Sequence, residues 1–557
     1  AIKDCMLPKV VVAFVFSLLS LSAPFVIHQK PLLRDNEPFS GPFRQGLKCR
    51  AGNIQKGALK SCSDGISNNH DDEDAMYSSL RRKIVLTSLS GSLFFIPSSS
   101  HASSSPTLPP PPPFSKLSIP ITQVPPSLSS CTLRYLSLSP SNTDVLLIST
   151  STSPKPITTS VSASVTVPVG STKATAGKDG LAHFCEHMLF MGTEKYPEED
   201  GFNKFLAKRG GSSNAFTESE STTYYFNQQL GDVKDDWEGL DRFLDFFGTP
   251  QFATGSVERE VNAVDSEHSK NLQSDVFRIY ELEKRRSNSM HPYSRFWTGD
   301  KSTLLPSETP QGRSELRDSL KTFFEREYKK GGDCAVVISP RGIDEMEKEV
   351  IKSLQTTVST EFREPSAAEP SALPERVNPF SGDLSKSEIP GLGYVVKTVP
   401  VQELRQMTMV FPIVYESGAE RERLRRARPQ EYLGHLIGHE GGGSLLSYLK
   451  KKGWANGVGA STNAELEDFE TFEVVVDLTE EGLKEWKKVM RGVLGYVELL
   501  KSQWPDYVYD EVLRMAELGW EFFEVSDPTS FASTLSQNME KYKFDKSLAV
   551  AGGLRLA

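Results

Sequence analysis

Residues 183–187 read His-Phe-Cys-Glu-His, and the chain is best understood outward from them. On a helix, positions four apart share a face, so His183 and His187 can turn two imidazole nitrogens toward one metal ion with Glu186 alongside. This H-x-x-E-H order inverts the commoner H-E-x-x-H zinc helix. It serves similar chemistry, in which two neutral imidazoles hold zinc and a neighbouring carboxylate takes a proton from a bound water. A catalytic zinc takes a third protein ligand. Downstream, residues 259–268 read REVNAVDSEH inside a charged amphipathic stretch over 256–270. Glu260 and Glu267 fall two helical turns apart on one face there, and either could complete a site. By itself such a pair ordinarily belongs to a solvated face.

The segments around these two alternate between strand and helix signatures. RYLSLSP (134–140) and DVLLISTS (144–151) read as a hairpin, VSASVTVPVGS (161–171) as a third strand, and the helix carrying HFCEH starts after Asp179-Gly180. A helix over 201–208 is followed by the Gly210-Gly211 break into an edge strand over 212–217 and its partner over 222–227. Long helices are expected over 235–247 and 256–286, then a strand at 334–339 and a helix at 345–354. This is an α+β domain, a mostly antiparallel sheet with helices packed on one face. A stretch over 356–392, rich in Ser, Pro and Glu, reads as a linker. Beyond it the grammar repeats: strands at 393–399, 406–412 and 471–478, and helices at 429–437, 444–451 and 481–502. The predicted organisation is therefore 1–130 as a targeting, low-complexity and disordered region, 131–355 as a catalytic domain with the zinc site, 356–392 as linker and 393–557 as a second, apparently truncated, non-catalytic domain.

Several sequence blocks carry a resemblance. HFCEHMLFMGTEKYP, GGSSNAFTESESTTYYF, REVNAVDSEH and HPYSRFWTGD, with LGHLIGHEGGGSLLSYLKKKGW and VVVDLTEEG further on, occur in the order found in the pitrilysin family of inverzincin metallopeptidases. The similarity runs over about residues 132–550. It implies tandem α/β-roll domains, and it assigns His183, His187 and Glu267 as ligands of one Zn2+ per chain, Glu186 as general base and Glu260 as a carboxylate that orients a ligand without touching metal. It also implies that Ser213, Asn214, Ala215 and Phe216 lie on the edge strand to which a peptide substrate adds by main-chain hydrogen bonds. Gly438 and Glu440 match a stretch that anchors the substrate's N-terminal end. Longer members close two similar halves into a chamber, and the present chain matches only the N-terminal half.

Three functions follow as expectations. One is a zinc metalloendopeptidase acting on short peptides. A second is a non-catalytic peptide-binding or regulatory chain, which would have no need of Glu186. A third is a half-length processing-peptidase subunit that works with a partner chain or a C-terminal half. His435 and His439 repeat the four-residue spacing with Glu440 beside them, but no second carboxylate helix is evident and the glycines at 441–443 end the helix.

The remaining composition narrows the field. With 557 residues, 38% of them hydrophobic and 24% charged, the chain is ordinary globular protein. A net charge of −9 without a basic stripe argues against nucleic acid as partner. Six cysteines at wide spacing give no disulfide framework, and Cys185 points off the metal face. Lys3 and Lys9 before an apolar run at 10–21, then Ser22 and Ala23, form a secretory-signal pattern. The run is short for a membrane span, so a membrane would be met only through such a signal or anchor. Arg81-Arg82-Lys83, an apolar stretch at 84–96 and SSSHASSS resemble a twin-arginine signal. Together they suggest secretory or organelle targeting, for example to a plastid, with the cytosol as alternative.

Overall fold

A computed structural model of the chain describes residues 25–28, 115–357, 377–380 and 395–553, apart from positions 122, 140, 155, 156, 176 and 506. In chain order the strands are β1 (Phe25–His28), β2 (Ser115–Ile119), β3 (Thr132–Ser139), β4 (Thr143–Ser149), β5 (Ser160–Val167), β6 (Ser212–Thr217), β7 (Thr222–Gln229), β8 (Cys334–Ser339), β9 (Val395–Thr398), β10 (Gln406–Val414), β11 (Ala455–Glu465) and β12 (Phe469–Leu478). The helices that matter below are α1 (Leu181–Leu189), α2 (Thr254–Asn271), α3 (Asp275–Arg286), α4 (Pro310–Glu327), α5 (Pro429–Gly438), α6 (Tyr507–Glu521) and α7 (Pro528–Lys541).

Seven strands form the first sheet, in the order β2-β3-β4-β8-β5-β7-β6. Every neighbouring pair is antiparallel except β4 with β8. The β3–β4 turn is tight because Asn142 accepts a left-handed backbone, φ 53°. Side chains alternate across this sheet, which is why DVLLIS is apolar throughout. Val145 and Leu147 meet the core of α1, α2 and α4, whereas Leu146 and Ile148 meet another core on the opposite face. The second sheet has five strands in the order β11-β12-β10-β1-β9, and only β1 with β9 is parallel. Both sheets follow one plan: β4, β8, β5, β7 and β6 correspond in order and direction to β9, β1, β10, β12 and β11.

The α+β class and the mostly antiparallel sheets agree with the sequence, and four details go beyond it. First, helices cover both faces of the first sheet. Phe531, Ala532, Leu535 and Met539 of α7 pack on Tyr135, Leu146, Ile148, Val336 and Ile338. Ser536 of the same helix lies 2.9 Å from Ser164 and 2.8 Å from Thr166, hydroxyl to hydroxyl. A segment that follows the second sheet thus completes the first domain, across the boundary drawn between 131–355 and 393–557. Second, β1 and β2 lie inside the stretch expected to be unstructured, and β2 extends the first sheet beyond β3. Third, the helix expected over 256–286 is broken between α2 and α3 at an extended Ser274. The break lets the Asp275 carboxylate accept the backbone N–H of Val401 at 2.9 Å and of Gln402 at 3.0 Å, tying the two domains together. Fourth, most of the expected linker lies outside the described residues, but Phe380 sits in a small core with Tyr293 and Phe469. The signal-like runs at 10–21 and 81–96 also lie outside the described residues. Among the described residues no helix is long and apolar enough to cross a membrane.

Candidate metal centre

The site is built where α1 leaves the first sheet. Gly180 enters the helix with φ 85° against Gly299, φ 70°, and a Cβ on Gly180 would come 2.3 Å from the Gly299 Cα. Only glycine permits that approach. It brings the Thr298 carbonyl to 2.8 Å from His183 Nδ1. With Nδ1–H donating to that carbonyl, the lone pair of His183 is on Nε2, the nitrogen facing the other site residues.

Phe184, Cys185, Met188 and Leu189 bury one face of α1, and Val257, Val261 and Val264 of α2 pack into the same core. The two helices therefore face each other across His183, His187, Glu260 and Glu267. Glu267 Oε2 lies 3.6 Å from His183 Nε2 and 3.6 Å from His187 Nε2. Glu260 Oε2 lies 3.5 Å from His187 Nδ1. One ligand atom each from His183, His187 and Glu267 fall within 4.8 Å of one another, the only such grouping of three or more metal-ligating side chains among the described residues. Two imidazoles, one buried and one partly exposed, and a half-exposed carboxylate make a donor set of the zinc type, and the His183 tautomer fits it.

Electrostatics sharpen the roles. Burial works to lower the His187 pKa, but hydrogen bonding to Glu260 and Glu267 outweighs it and carries the metal-free imidazole up to about 9. His183 and His187 hold Glu267 well below the usual carboxylate range. For Glu260 burial acts upward, yet His187 and Arg259 prevail and keep it low. Arg259 Nε donates to Glu260 at 3.1 Å and its Nη1 to Glu199 at 2.9 Å, so Glu260 is itself held from outside. Glu186 differs: burial raises its pKa, opposed by His183, by a hydrogen bond from Thr217 and by His187. Thr217 Oγ1 donates to Glu186 Oε2 at 2.5 Å.

Thr217 ends β6, which is the edge of the first sheet and pairs only with β7. Ser213, Asn214, Ala215 and Phe216 precede it on that open edge, so the strand leads directly to Glu186. On opposite faces of the strand, Ser213 Oγ donates to Asn203 Oδ1 at 2.7 Å and Asn214 Nδ2 to the Tyr225 hydroxyl at 3.3 Å. A cleft of about 660 Å³ lies beyond Thr217, between Phe277, Tyr280 and Trp297 on one side and Thr408, Asn463 and Glu473 of the second sheet on the other. Trp297 stacks on Phe277 at 6.0 Å and stands 6.4 Å from the His183 ring.

Gly438 and Glu440 lie apart from these residues, in a groove of the second domain beside β11. His435 and His439 flank them, and they do not form a ligand pair. His439 lies beyond the end of α5, and its Nδ1 accepts the Gly441 N–H at 3.0 Å. A carboxylate helix does accompany them, contrary to expectation: Glu511 of α6 reaches His435 Nε2 at 3.1 Å. The contribution of Thr217, the Thr298 carbonyl and the Arg259–Glu199 pair was not predicted. Thr298 lies within the HPYSRFWTGD block, but a backbone carbonyl leaves no mark in side-chain patterns.

Known proteins resemble this chain over most of its described length. Residues 149–289 match the family described as Insulinase (Peptidase family M16), and residues 316–516 match Peptidase M16 inactive domain, together more than half of the chain. Insulin-degrading enzyme of Drosophila melanogaster is 35% identical over 424 residues, 75% of this chain and 38% of that protein. A-factor-processing enzyme of Saccharomyces cerevisiae is 33% identical over 432 residues, 77% of this chain and 39% of that one. The crystal structure of pitrilysin superposes with a TM-score of 0.62 at 23% identity, over 79% of this chain and 45% of that one, which shows the shared fold. The chain spans less than half the length of these relatives.

Proposed function

The chain belongs to peptidase family M16, and from that premise we propose that it is a zinc metalloendopeptidase that hydrolyses peptide bonds in short, extended peptides. The observation that carries this reading is the meeting of His183, His187 and Glu267 beside a buried Glu186 at the end of an open sheet edge.

His183 and His187 through Nε2, and Glu267 through its carboxylate, would hold the ion. Zinc bound there supplies a lowered water pKa and polarisation of a carbonyl. Glu186 is the base: it takes a proton from the attacking water and returns it to the departing amine. Its burial favours the protonated carboxyl and the hydrogen bond from Thr217 favours the charged form, so the buried group can hold the proton between the two steps. Thr217 occupies Oε2, which leaves Oε1 to carry the proton. Glu260 positions His187 and is itself fixed by Arg259. The substrate adds to β6 along Ser213, Asn214, Ala215 and Phe216, pairing backbone to backbone, which suits broad sequence tolerance. Gly438 and Glu440 would hold the far, N-terminal end of a longer peptide.

The test is hydrolysis of a quenched fluorescent peptide by the zinc-loaded chain, beside Glu186→Gln prepared identically. Turnover by the first and its loss in the second supports a self-sufficient peptidase. A second reading rests on the openness of the site, where the Glu267 side chain is 43% exposed. It is that a partner chain completes the site, or that the chain binds peptide without cutting it. A folded, zinc-loaded chain that turns over only after a partner is added would favour the former; peptide binding without turnover under any condition, the latter. The signal-like N-terminal sequence leads us to propose delivery to the secretory route or an organelle, testable by imaging a fluorescent fusion.

A further inference from the structure

Both ends of α3 join the first domain to the second, by different chemistry. At its start the Asp275 carboxylate accepts the N–H groups of Val401 and Gln402. Near its other end the buried Glu283 faces a second carboxylate, Glu473 of β12. Asn463 of β11 bridges the two: its Nδ2 donates to Glu473 Oε1 at 2.7 Å and to Glu283 Oε2 at 3.3 Å. The Tyr293 hydroxyl donates to Glu283 Oε1 at 3.2 Å. Among the described residues no cation pairs with either carboxylate. Lys284 stands over the Tyr293 ring at 4.6 Å and the Tyr280 ring at 5.4 Å, so its charge is felt without an ion pair. The other charged groups of the seam are engaged elsewhere: Arg285 with Glu281, Arg425 and Lys541 with Glu465, and His291 with Asp468. Two carboxylates that share one amide and have no counter-ion cannot both be charged there, so the seam holds one proton between them. Burial and the charge of Glu473 raise the Glu283 pKa well above the usual carboxylate range, and burial raises that of Glu473, against hydrogen bonds from Glu283 and Asn463. Glu283, the deeper of the two, therefore carries the proton and donates it to Glu473.

The pair lies where a change of charge has a mechanical effect, because Asn463 and Glu473 belong to one wall of the 660 Å³ cleft and Phe277 and Tyr280 of α3 to the other. We propose that Glu283 and Glu473 are a proton-operated latch between the two domains: one shared proton holds α3 against the second sheet, and its loss leaves two like charges that part the cleft walls. The folded chain holds a proton that the unfolded chain releases in the ordinary carboxylate range. The latch is therefore fully closed below that range and opens as pH rises through the pair's own, higher value. The inference goes beyond the peptidase reading and depends on neither metal nor turnover.

The test is amide exchange of the full chain beside Glu283→Gln, the two compared at the same pH across a series from about pH 5 to about pH 9, so that the intrinsic pH dependence of exchange cancels. The replacement keeps an N–H donor toward Glu473 and carries no charge at any pH. Exchange at 275–286 and 455–465 should match in the two proteins at the acid end of the series. At the alkaline end it should run about tenfold or more faster in the unmodified chain, with exchange at 334–339 equal throughout. If Glu283→Gln does not fold, Glu473→Gln, at the less buried partner, replaces it under the same expectation. A ratio between the proteins that stays constant with pH overturns the proposal. So does a ratio that rises equally at 334–339, which reports loss of the whole fold and not the parting of one seam.

Discussion

Glu186 is fixed from one side by Thr217 and flanked by both imidazoles, so its reactivity depends on groups contributed by two elements of the fold. Glu186→Gln keeps the shape and the hydrogen bond from Thr217 but cannot accept a proton. Peptide turnover should fall by about 10³-fold or more while zinc content stays at one per chain, checked by steady-state assay and metal analysis. Thr217→Val removes a hydrogen bond to a charged, buried acceptor, and kcat/KM should drop by roughly tenfold with KM little changed. On the proposed assignment, Glu267→Gln removes a ligand and Glu260→Gln only the support of His187. Competition against a fluorescent chelator should show zinc affinity reduced about 10–100-fold by Glu260→Gln and by a larger factor with Glu267→Gln. Equal losses would put both carboxylates on the metal. Helical spacing singled out His183, Glu186 and His187 within α1 and offered Glu260 and Glu267, seven apart within α2, as candidates; which of the two meets the imidazoles came from the resemblance and not from the spacing. Thr217, Thr298 and Arg259 were not legible in the sequence, because their contacts join elements that only the folded backbone brings together.

At the level of elements, period-two and helical apolar patterns revealed most strands and helices, and the misses have physical causes. The break between α2 and α3 was hidden because the charged pattern continues through it, while the reason for it, capture of Asp275 by Val401 and Gln402, comes from the other domain. β11 carries Gly, Asn, Ser and Thr and alternates weakly, so its pairing with β12 decides its structure more than its own sequence does. The neighbouring β12 carries Glu470, 2% exposed and paired in register with Ile413 and Glu465. Burial, with the charge of Glu465 adding to it, pushes its carboxyl up to about 7. The folded state thus holds a proton that the unfolded chain releases near pH 4.5. The stabilisation from that proton is complete below about pH 4.5 and is lost as pH rises through about 7, roughly 3 kcal/mol in all. Glu470→Gln mimics the protonated form at all pH values. Relative to the unmodified chain, its melting temperature should be similar at pH 5 and several degrees higher at pH 8, measured by scanning calorimetry of the two proteins side by side. A difference that does not vary with pH would mean that Glu470 is charged in the fold.

Across the whole molecule, the decisive element is α7, which belongs by sequence to the second domain and by packing to the first. Its apolar face closes the outer core of the first sheet, and at its end Lys541 Nζ reaches Glu465 of β11 at 2.5 Å while Arg425 holds the same carboxylate at 2.8 Å. The first sheet is then not covered by the residues of 131–355 alone, and the candidate metal centre on α1 shares that sheet with a helix about 350 residues further along the chain. Leu535 is 1% exposed and lies against the outer face of the first sheet. Leu535→Ala should cost about 2–5 kcal/mol, and the cost should appear in the first domain rather than the second. Amide exchange reports this directly: protection should fall across 145–148 and 335–338, and zinc should dissociate at a lower denaturant concentration, with 474–478 affected only through global unfolding. For the same reason a fragment of residues 115–357 should expose the outer faces of β4 and β8, bind hydrophobic dye and aggregate, and one that also carries 528–553 through a flexible linker should not. If the short fragment instead remained monomeric with zinc bound, α7 would be an accessory cover, and the catalytic domain would end where the sequence alone suggests, before the linker.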